Sequence, residues 1–418
     1  MGLFSQRKVV KYMKKKGEDI MLLQFRFKNY KSFADEAILD MTATTIKEHK
    51  DTLIEKNNIN ILPVAAIHGA NANGKSSFLD ALFAMHLMVV ATFNNMYDRP
   101  LEIASFNFDD ELKKEPTEFE MHINIEDKEY KYGFSATKEE IVEEWLYHKS
   151  FRKNSKMEFK PLIHRIKEEV QLYESLEKQK EIISLMNSKT LLLSLLGRKG
   201  APVAAELYRW FLMSSFDVFE SEGDNLKSQS AFRFLNESEE FFEKVKDKIR
   251  EVDPCIKDIK ITEFENENQQ KIYRLNTVHQ SPDGKKEYLF AFEGESEGTQ
   301  KLFFLYFRIL MALKTGGMVY VDELDSKVHP LVFRDMVKTF RDRELNQENA
   351  QLIFTCHNLT LLNYNYLRRD EVWFIDKDKT GKSQIYSLAD FKVRSDLDYY
   401  KAYLSGKFGA IPYLHEEE

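Results

Sequence analysis

The chain has 418 residues, 43% of them hydrophobic and 31% charged, with a formal net charge of −7. That length and balance point to a globular protein with a large core, in two or three domains or in one domain with a big insertion. The acidic balance excludes a global positive field, so any contact with nucleic acid needs a local patch. Cys255 and Cys356 are too few for a disulfide framework and predict a reducing, cytoplasmic setting. No apolar run reaches the roughly 18 residues of a membrane-spanning helix.

In chain order, residues 1–20 come first. Arg7, Lys8, Lys11, Lys14, Lys15 and Lys16 have no apolar core behind them, so the segment is not a secretory signal. It reads as a solvated basic extension, or as the product of an upstream start with Met21 as the real beginning. Met1-Gly2 resembles a myristoylation start only faintly, because Ser5 falls one place early and Gln6 stands in its position. Residues 21–28 alternate and predict a strand. Residues 61–68 are an apolar run that ends in a glycine-rich turn, and 75–92 predict a helix. Alternation and aromatics over 117–135 and 140–148, with Asp127 in a turn, predict a hairpin or meander. Residues 155–250, rich in Glu, Lys and Leu, predict a mostly helical insertion without the sustained heptads of a long coiled coil. Strands return over 257–293, broken by Pro282-Asp283-Gly284. A helix over 298–313, a strand over 318–322, a helix over 329–342 and strands over 351–355 and 371–375 follow. Such alternation predicts an α/β fold with a mostly parallel core sheet. The resulting scheme is a core N-terminal half over 21–150, a helical insertion over 151–250 and a core C-terminal half over 251–418.

The sequence Gly69-Ala70-Asn71-Ala72-Asn73-Gly74-Lys75-Ser76 fits G-x-x-x-x-G-K-[ST] in full, followed by Ser77. Its glycines let backbone N–H groups turn inward around phosphates. Lys75 reaches the β and γ oxygens, and the Ser76 hydroxyl binds Mg²⁺. A strand precedes the motif and a helix follows, so the helix N-terminus faces the anion. Met318-Val319-Tyr320-Val321-Asp322-Glu323 delivers Asp322 to the Mg²⁺ shell and leaves Glu323 to activate water. Asp325 falls where a loop can cross to a partner subunit, and His329 reads equally as a capping or packing histidine. Ser296-Glu297-Gly298-Thr299-Gln300-Lys301 opens a helix and makes a second anion-binding N-terminus. A second such turn in a chain that already has a phosphate loop suggests two chains sandwiching each nucleotide. His357, at the end of Leu352-Ile353-Phe354-Thr355-Cys356-His357-Asn358, is a candidate contact to a γ-phosphate, and Cys356 beside it reads as packing.

In this order the motifs resemble those of the ABC/SMC-like ATPases. Within them, the chain is similar to AAA-annotated ATPases of bacterial abortive infection and phage defence, and to the ATPase half of OLD proteins. Further strings that carry the resemblance are Phe27-Lys28-Asn29-Tyr30-Lys31-Ser32-Phe33, Glu295 before the Ser296 turn, Asp322-Glu323-Leu324-Asp325 with His329-Pro330, and Gly406-Lys407-Phe408-Gly409-Ala410-Ile411-Pro412. The resemblance implies a P-loop NTPase of ABC-ATPase type with an antiparallel β subdomain, and ATP held between two heads. Ser296, Gly298, Thr299 and Gln300 of one chain would then face the P-loop of the other. Asp325 would be the D-loop residue and His357 the switch histidine. Ser-Glu-Gly-Thr-Gln departs from the Ser-Gly-Gly-Gln of transporters and argues against a transporter. No glutamine-loop residue is identifiable, Asn107 being a guess. The segment after His357 is too short for the Toprim nuclease of OLD proteins, and Asp376-Lys377-Asp378 reads as a surface turn rather than a metal pair.

The expectation is therefore an ATPase using ATP and Mg²⁺, a homodimer or higher homo-oligomer, acting as sensor or scaffold for a separate Toprim- or RloB-like nuclease effector in antiphage defence. Two competing expectations are a DNA-repair ATPase of SMC/RecF type and a self-sufficient OLD-like nuclease using Asp376 and Asp378.

Overall fold

The structure is a computed structural model that describes residues 20–92, 100–151, 158–217, 225–266, 269–362, 366–394 and 397–412. The basic extension, apart from its last residue, lies outside the described residues. In chain order the strands β1 (Ile20–Lys28), β2 (Ala37–Asp40), β3 (Ile54–Lys56), β4 (Ile59–Ile61) and β5 (Val64–His68) lead into helix α1 (Lys75–Ala91). Then come β6 (Thr117–Ile125), β7 (Lys128–Ala136), β8 (Ile141–Ser150), β9 (Lys160–Ile166), β10 (Glu169–Leu172), α2 (Leu192–Lys199), α3 (Ala204–Met213) and β11 (Ser215–Asp217). The chain goes on through α4 (Asn225–Glu237), α5 (Glu239–Val252), β12 (Ile256–Glu265), β13 (Lys271–Gln280), β14 (Glu287–Ala291) and α6 (Glu297–Thr315). It ends with β15 (Met318–Val321), α7 (Pro330–Arg341), β16 (Gln351–Thr355), β17 (Val372–Lys377), β18 (Ser383–Ser387) and α8 (Tyr399–Leu404).

Two compact units emerge. One takes the described residues of Met1–Phe216, Ala312–Leu324 and Val337–Glu418, the other those of Asp217–Met311 and Asp325–Met336. The first holds a seven-stranded sheet in the order β10-β9-β8-β7-β6-β1-β2 and a six-stranded sheet in the order β11-β15-β16-β5-β17-β18. In the six-stranded sheet β15, β16, β5 and β17 run parallel and β18 runs antiparallel beside β17. Every residue of β5, β15 and β16 is buried, which is why these strands read as unbroken apolar runs. The seven-stranded sheet alternates instead. Phe119, Met121, Ile123 and Ile125 of β6 join the core, while Glu120 takes charge contacts from Arg26, His122 and Lys131 across three strands. Gln351 ties the two sheets together: its amide donates to the Leu22 and Leu62 carbonyls and accepts from the Leu22 N–H.

Residues 160–172, inside the stretch expected to be mostly helical, are the strands β9 and β10. Pairing of β9 with β8, and of β10 with β9, overrides their Glu- and Lys-rich composition. The guanidinium of fully buried Arg165 in β9 donates to the carbonyls of Lys167, Thr190 and Asn187. Beside it, buried Glu144 accepts the Leu192 and Leu193 N–H groups and so caps α2 from across the fold.

The second unit pairs β12, β13 and β14 in an antiparallel sheet. Its α5 buries Phe241, Phe242, Val245 and Ile249 along one face. Among the described residues, no helix is long and apolar enough to cross a membrane.

Candidate functional site at the edge of the parallel sheet

Strand β5 ends at His68, and the next seven residues turn the chain into α1. Gly69 is needed for close approach: a Cβ there would lie 2.4 Å from the Ile375 carbonyl oxygen of β17. Gly74 has φ 111°, and a Cβ on it would meet the hydroxyls of Ser383 at 2.5 Å and Ser32 at 2.7 Å. The loop thus lies flat against β17 and β18. Asn73 donates to the Ile375 carbonyl at 3.2 Å and to Asp376 Oδ1 at 3.1 Å, and its own carbonyl accepts from Ser383 Oγ at 2.6 Å. Asn71 and Ser76 are exposed, and Asn73, Gly74 and Ser77 half-buried.

Lys75, the first residue of α1, is buried. Its ammonium donates to the carbonyls of Gly69 at 2.8 Å and Ala70 at 3.0 Å, which holds the charge inside the loop. No side chain caps α1 at Gly74, so its first N–H groups and the Lys75 charge form a site for an anion.

Asp322 and Glu323 follow β15, next to β16 and then β5 in the same sheet. Thr355, the last residue of β16, organises them. Its hydroxyl donates to Asp322 Oδ1 and accepts from the Glu323 N–H at 2.8 Å, while its carbonyl accepts the Leu324 N–H at 3.0 Å. Glu323 is held at φ 47°, a left-handed conformation for a non-glycine residue. That turn aims its half-exposed carboxylate at His357, with Oε1 3.6 Å from Nε2. The hydroxyl of Ser76 and the carboxylate of Asp322 are hard oxygen donors of the kind Mg²⁺ takes, and the uncapped loop suits a phosphate chain. These residues therefore fit a nucleotide with its metal ion.

Beneath the loop lies a residue with no assigned role in the sequence reading. His68 is fully buried, and the thiol sulfur of Cys356 sits 3.6 and 3.7 Å from its two ring nitrogens. Burial, with help from the charges of Lys75 and His357, pushes its pKa down to about 3. His68 is thus a neutral packing surface that joins the ends of β5 and β16. Thr355 lies in the strand before Cys356 and His68 closes the apolar run before Gly69, but only the strand register (Thr355 opposite Ile67) reveals what they touch.

Ser296, Gly298, Thr299, Gln300 and Asp325 belong to the second unit. Ser296 caps α6: its hydroxyl accepts the Thr299 N–H at 3.1 Å and pairs with the Thr299 hydroxyl at 2.9 Å. Gln300 donates to the carbonyls of Glu293 and Glu295. The Glu295 carboxylate accepts from Thr277 and faces the ring of His279, which fixes the turn on β13. Lys301 donates to the Ser326 carbonyl at 2.8 Å, and Lys327 pairs with Glu297, so the turn and the segment after Asp325 are bound together. His329 caps α7, its Nδ1 accepting the Leu331 N–H at 3.2 Å. Asn107 lies in an exposed turn. Asp378 accepts the N–H groups of Thr380 and Lys382 in a surface turn, while Asp376 serves the phosphate loop through Asn73.

A family described as "AAA domain, putative AbiEii toxin, Type IV TA system" matches residues 64–363. Among solved structures, the SMC head domain from Thermotoga maritima is similar at 14% identity, with 89% of this chain and 99% of that one covered and a TM-score of 0.41. The Smc head bound to the C-winged helix domain of ScpA is similar at 13% identity, with 88% and 97% covered and a TM-score of 0.42. The Smc head domain with a coiled coil and joint derived from Pyrococcus yayanosii is similar at 12% identity, with 93% and 99% covered and a TM-score of 0.44. No curated protein matches the chain. The family match covers most of the sequence and takes in the phosphate loop, Asp322, Glu323 and His357, and the chain accordingly belongs to this AAA-domain family.

Proposed function

We propose that the chain binds and hydrolyses ATP with Mg²⁺, engages a second copy of itself around the nucleotide, and thereby controls a separate toxic effector. The observation that carries the enzymatic part is the Thr355 bridge. One hydroxyl holds the Asp322 carboxylate and the Glu323 backbone at the sheet edge where the phosphate loop also starts. Strand ends of open α/β sheets are where such folds bind ligands.

In this reading the backbone amides of Gly69, Asn71, Asn73, Gly74, Lys75, Ser76 and Ser77 and the Lys75 ammonium bind the phosphates. Ser76 and Asp322 would hold Mg²⁺, which would neutralise phosphate charge when bound. Glu323 takes the proton of the attacking water, and His357, 3.6 Å away, orients that carboxylate and contacts the γ-phosphate. Ser296, Gly298, Thr299 and Gln300 offer a second N–H-rich helix start, and Asp325 lies on the segment that leads away from Glu323. A turn of that kind serves a nucleotide held by the other copy. The toxin–antitoxin wording of the family description supports placing a second protein beside this one. A nuclease of Toprim or RloB type is the effector we propose, in antiphage defence.

The test uses the purified full-length chain with Mg²⁺. ATP is titrated by calorimetry, phosphate release is followed, and mass is read by light scattering. Glu323→Gln is expected to keep ATP affinity, to lower turnover by about 100-fold or more, and to accumulate a dimer with ATP. Normal turnover in Glu323→Gln sinks the catalytic assignment, and a monomer at saturating ATP sinks the engagement.

A further inference from the structure

The C-terminal strap over Gly406–Ile411 presses on the phosphate loop. Phe408 and Ala410 are each 1% exposed. The Ala410 carbonyl accepts the Ala70 N–H at 2.9 Å, and the same carbonyl accepts from the Tyr403 hydroxyl at 2.8 Å. One turn earlier the Phe408 carbonyl accepts from the Tyr386 hydroxyl at 2.7 Å. Rings of Tyr403 and Phe408 stack on Phe374 of β17, with centroids 5.4 and 5.7 Å away. Gly406, Gly409 and Ala410 all adopt positive φ, at 77°, 69° and 55°, so the strap is wound into a defined shape.

The Ala70 N–H belongs to the same planar peptide as the Gly69 carbonyl. In a trans peptide these two groups point in opposite directions. When Ala410 captures the N–H on the strap side, the Gly69 oxygen must face the interior of the loop. There it accepts from the Lys75 ammonium at 2.8 Å. One peptide plane thus connects the strap to the lysine that meets the phosphates. We propose that the Gly406–Ile411 strap is a positioning element for Lys75, setting nucleotide affinity through the orientation of the Gly69–Ala70 peptide. This rests on the nucleotide reading of the loop given above. Tyr403, Tyr386 and Gly409 are positioning residues, acting through the loop without touching the ligand.

Two variants of the full chain test it. At Gly409 the left-handed φ of 69° disfavours a side chain, and a Cβ would stand 2.7 Å from the Tyr386 hydroxyl. Gly409→Ala therefore strains the strap and pushes on the Tyr386 hydroxyl that holds the Phe408 carbonyl. Tyr403→Phe removes only one hydroxyl from the Ala410 carbonyl. ATP and ADP affinities are measured by calorimetry, and the thermal midpoint without nucleotide by calorimetric scanning. Gly409→Ala is expected to weaken both nucleotides about tenfold and Tyr403→Phe about threefold, the scale of one hydrogen bond, with the nucleotide-free midpoint lowered in Gly409→Ala and changed little in Tyr403→Phe. Unchanged affinity in Gly409→Ala, beside a wild-type chain that binds ATP, overturns the proposal. So does a lowered midpoint with unchanged affinity in either variant, since the strap would then be packing alone. A wild-type chain that binds no ATP instead removes the nucleotide reading, and this inference with it.

Discussion

The phosphate loop and the Ser296 turn are both glycine-bearing helix starts, yet they are held in opposite ways. The phosphate loop is fixed by partners remote in sequence: Ile375 and Asp376 of β17, Ser383 of β18, and Ala410 of the strap. The Ser296 turn is fixed within the second unit, by its own Thr299, by the carbonyls of Glu293 and Glu295, by Thr277 and His279 through the Glu295 carboxylate, and by the ties of Lys301 to Ser326 and of Glu297 to Lys327. A loop held by segments 302 or more residues away is as rigid as the whole fold beneath it, whereas a turn held only by partners of its own unit keeps its shape wherever that unit goes. That contrast suits a pocket that must be preformed and a turn that must be presented to something else.

The largest effect that would break the contrast is at Gly69. Because its added Cβ would lie 2.4 Å from a backbone oxygen, no side-chain rotation relieves Gly69→Ala. We expect a stability loss of about 1–3 kcal/mol from overpacking, seen in denaturant titration, and loss of measurable ATP binding. A variant that binds ATP normally would show that the loop is not seated on β17 in solution.

Next comes the Thr355 bridge. Thr355→Val keeps the shape but leaves Asp322 without that hydroxyl and the Glu323 N–H without its acceptor. An unmade bond of this sort costs about 1–2 kcal/mol, so turnover in steady-state phosphate release should fall about tenfold while ATP affinity changes little. A large affinity loss with unchanged turnover would move Thr355 from organising Glu323 to supporting the loop.

These partners also mark what the sequence discloses. The loop from Gly69 to Ser76, the Asp322-Glu323 pair and the Ser296 cap are written in consecutive residues, and each is legible from spacing alone. The run from Met318 to Val321 announces a buried strand for the same reason. What stays hidden is whatever depends on neighbours in space. Thr355 touches Asp322 only because β15 and β16 pair in one register. Glu144 caps α2 from a distant strand. The strands over 160–172 carry a surface-like composition, and the pairing of β9 with β8 and of β10 with β9 decides their conformation. The Gly406-Lys407-Phe408-Gly409-Ala410 string stands out in the sequence, but nothing in it points to Ala70.

His68 gives the floor of the phosphate loop a pH signature. Its pKa lies near 3 in the folded chain and near 6.5 when unfolded. Below about pH 6.5 the unfolded chain takes up a proton that the folded chain refuses, so stability falls as pH drops toward 3 and is complete above 6.5. His68→Leu should make the loss of stability between pH 6 and 4 shallower by up to about 1.4 kcal/mol per pH unit. Denaturant midpoints compared at pH 7.5, 6 and 4.5 measure it. Parallel curves for the two proteins would mean that His68 is not buried as neutral imidazole.

The smallest structural effect is expected at Gly298, and there the comparison becomes sharpest. The backbone at Gly298 is not left-handed, and an added Cβ would meet only the Lys327 carbonyl oxygen at 3.2 Å and Ser296 Oγ at 3.7 Å. Alanine gains helix propensity over glycine, and the close oxygen offsets part of that gain, leaving stability within about 0.5 kcal/mol of the parent. The same methyl group, on a half-exposed helix start, faces whatever docks against the turn. Gly298→Ala should therefore be silent in thermal melts and in ATP binding at low protein concentration. If a second copy reads this turn, the variant should lose the rise of ATPase rate with protein concentration that an engaged dimer requires. An ATPase rate that keeps its concentration dependence in Gly298→Ala would place the second copy elsewhere and leave the Ser296 turn as an ordinary helix cap.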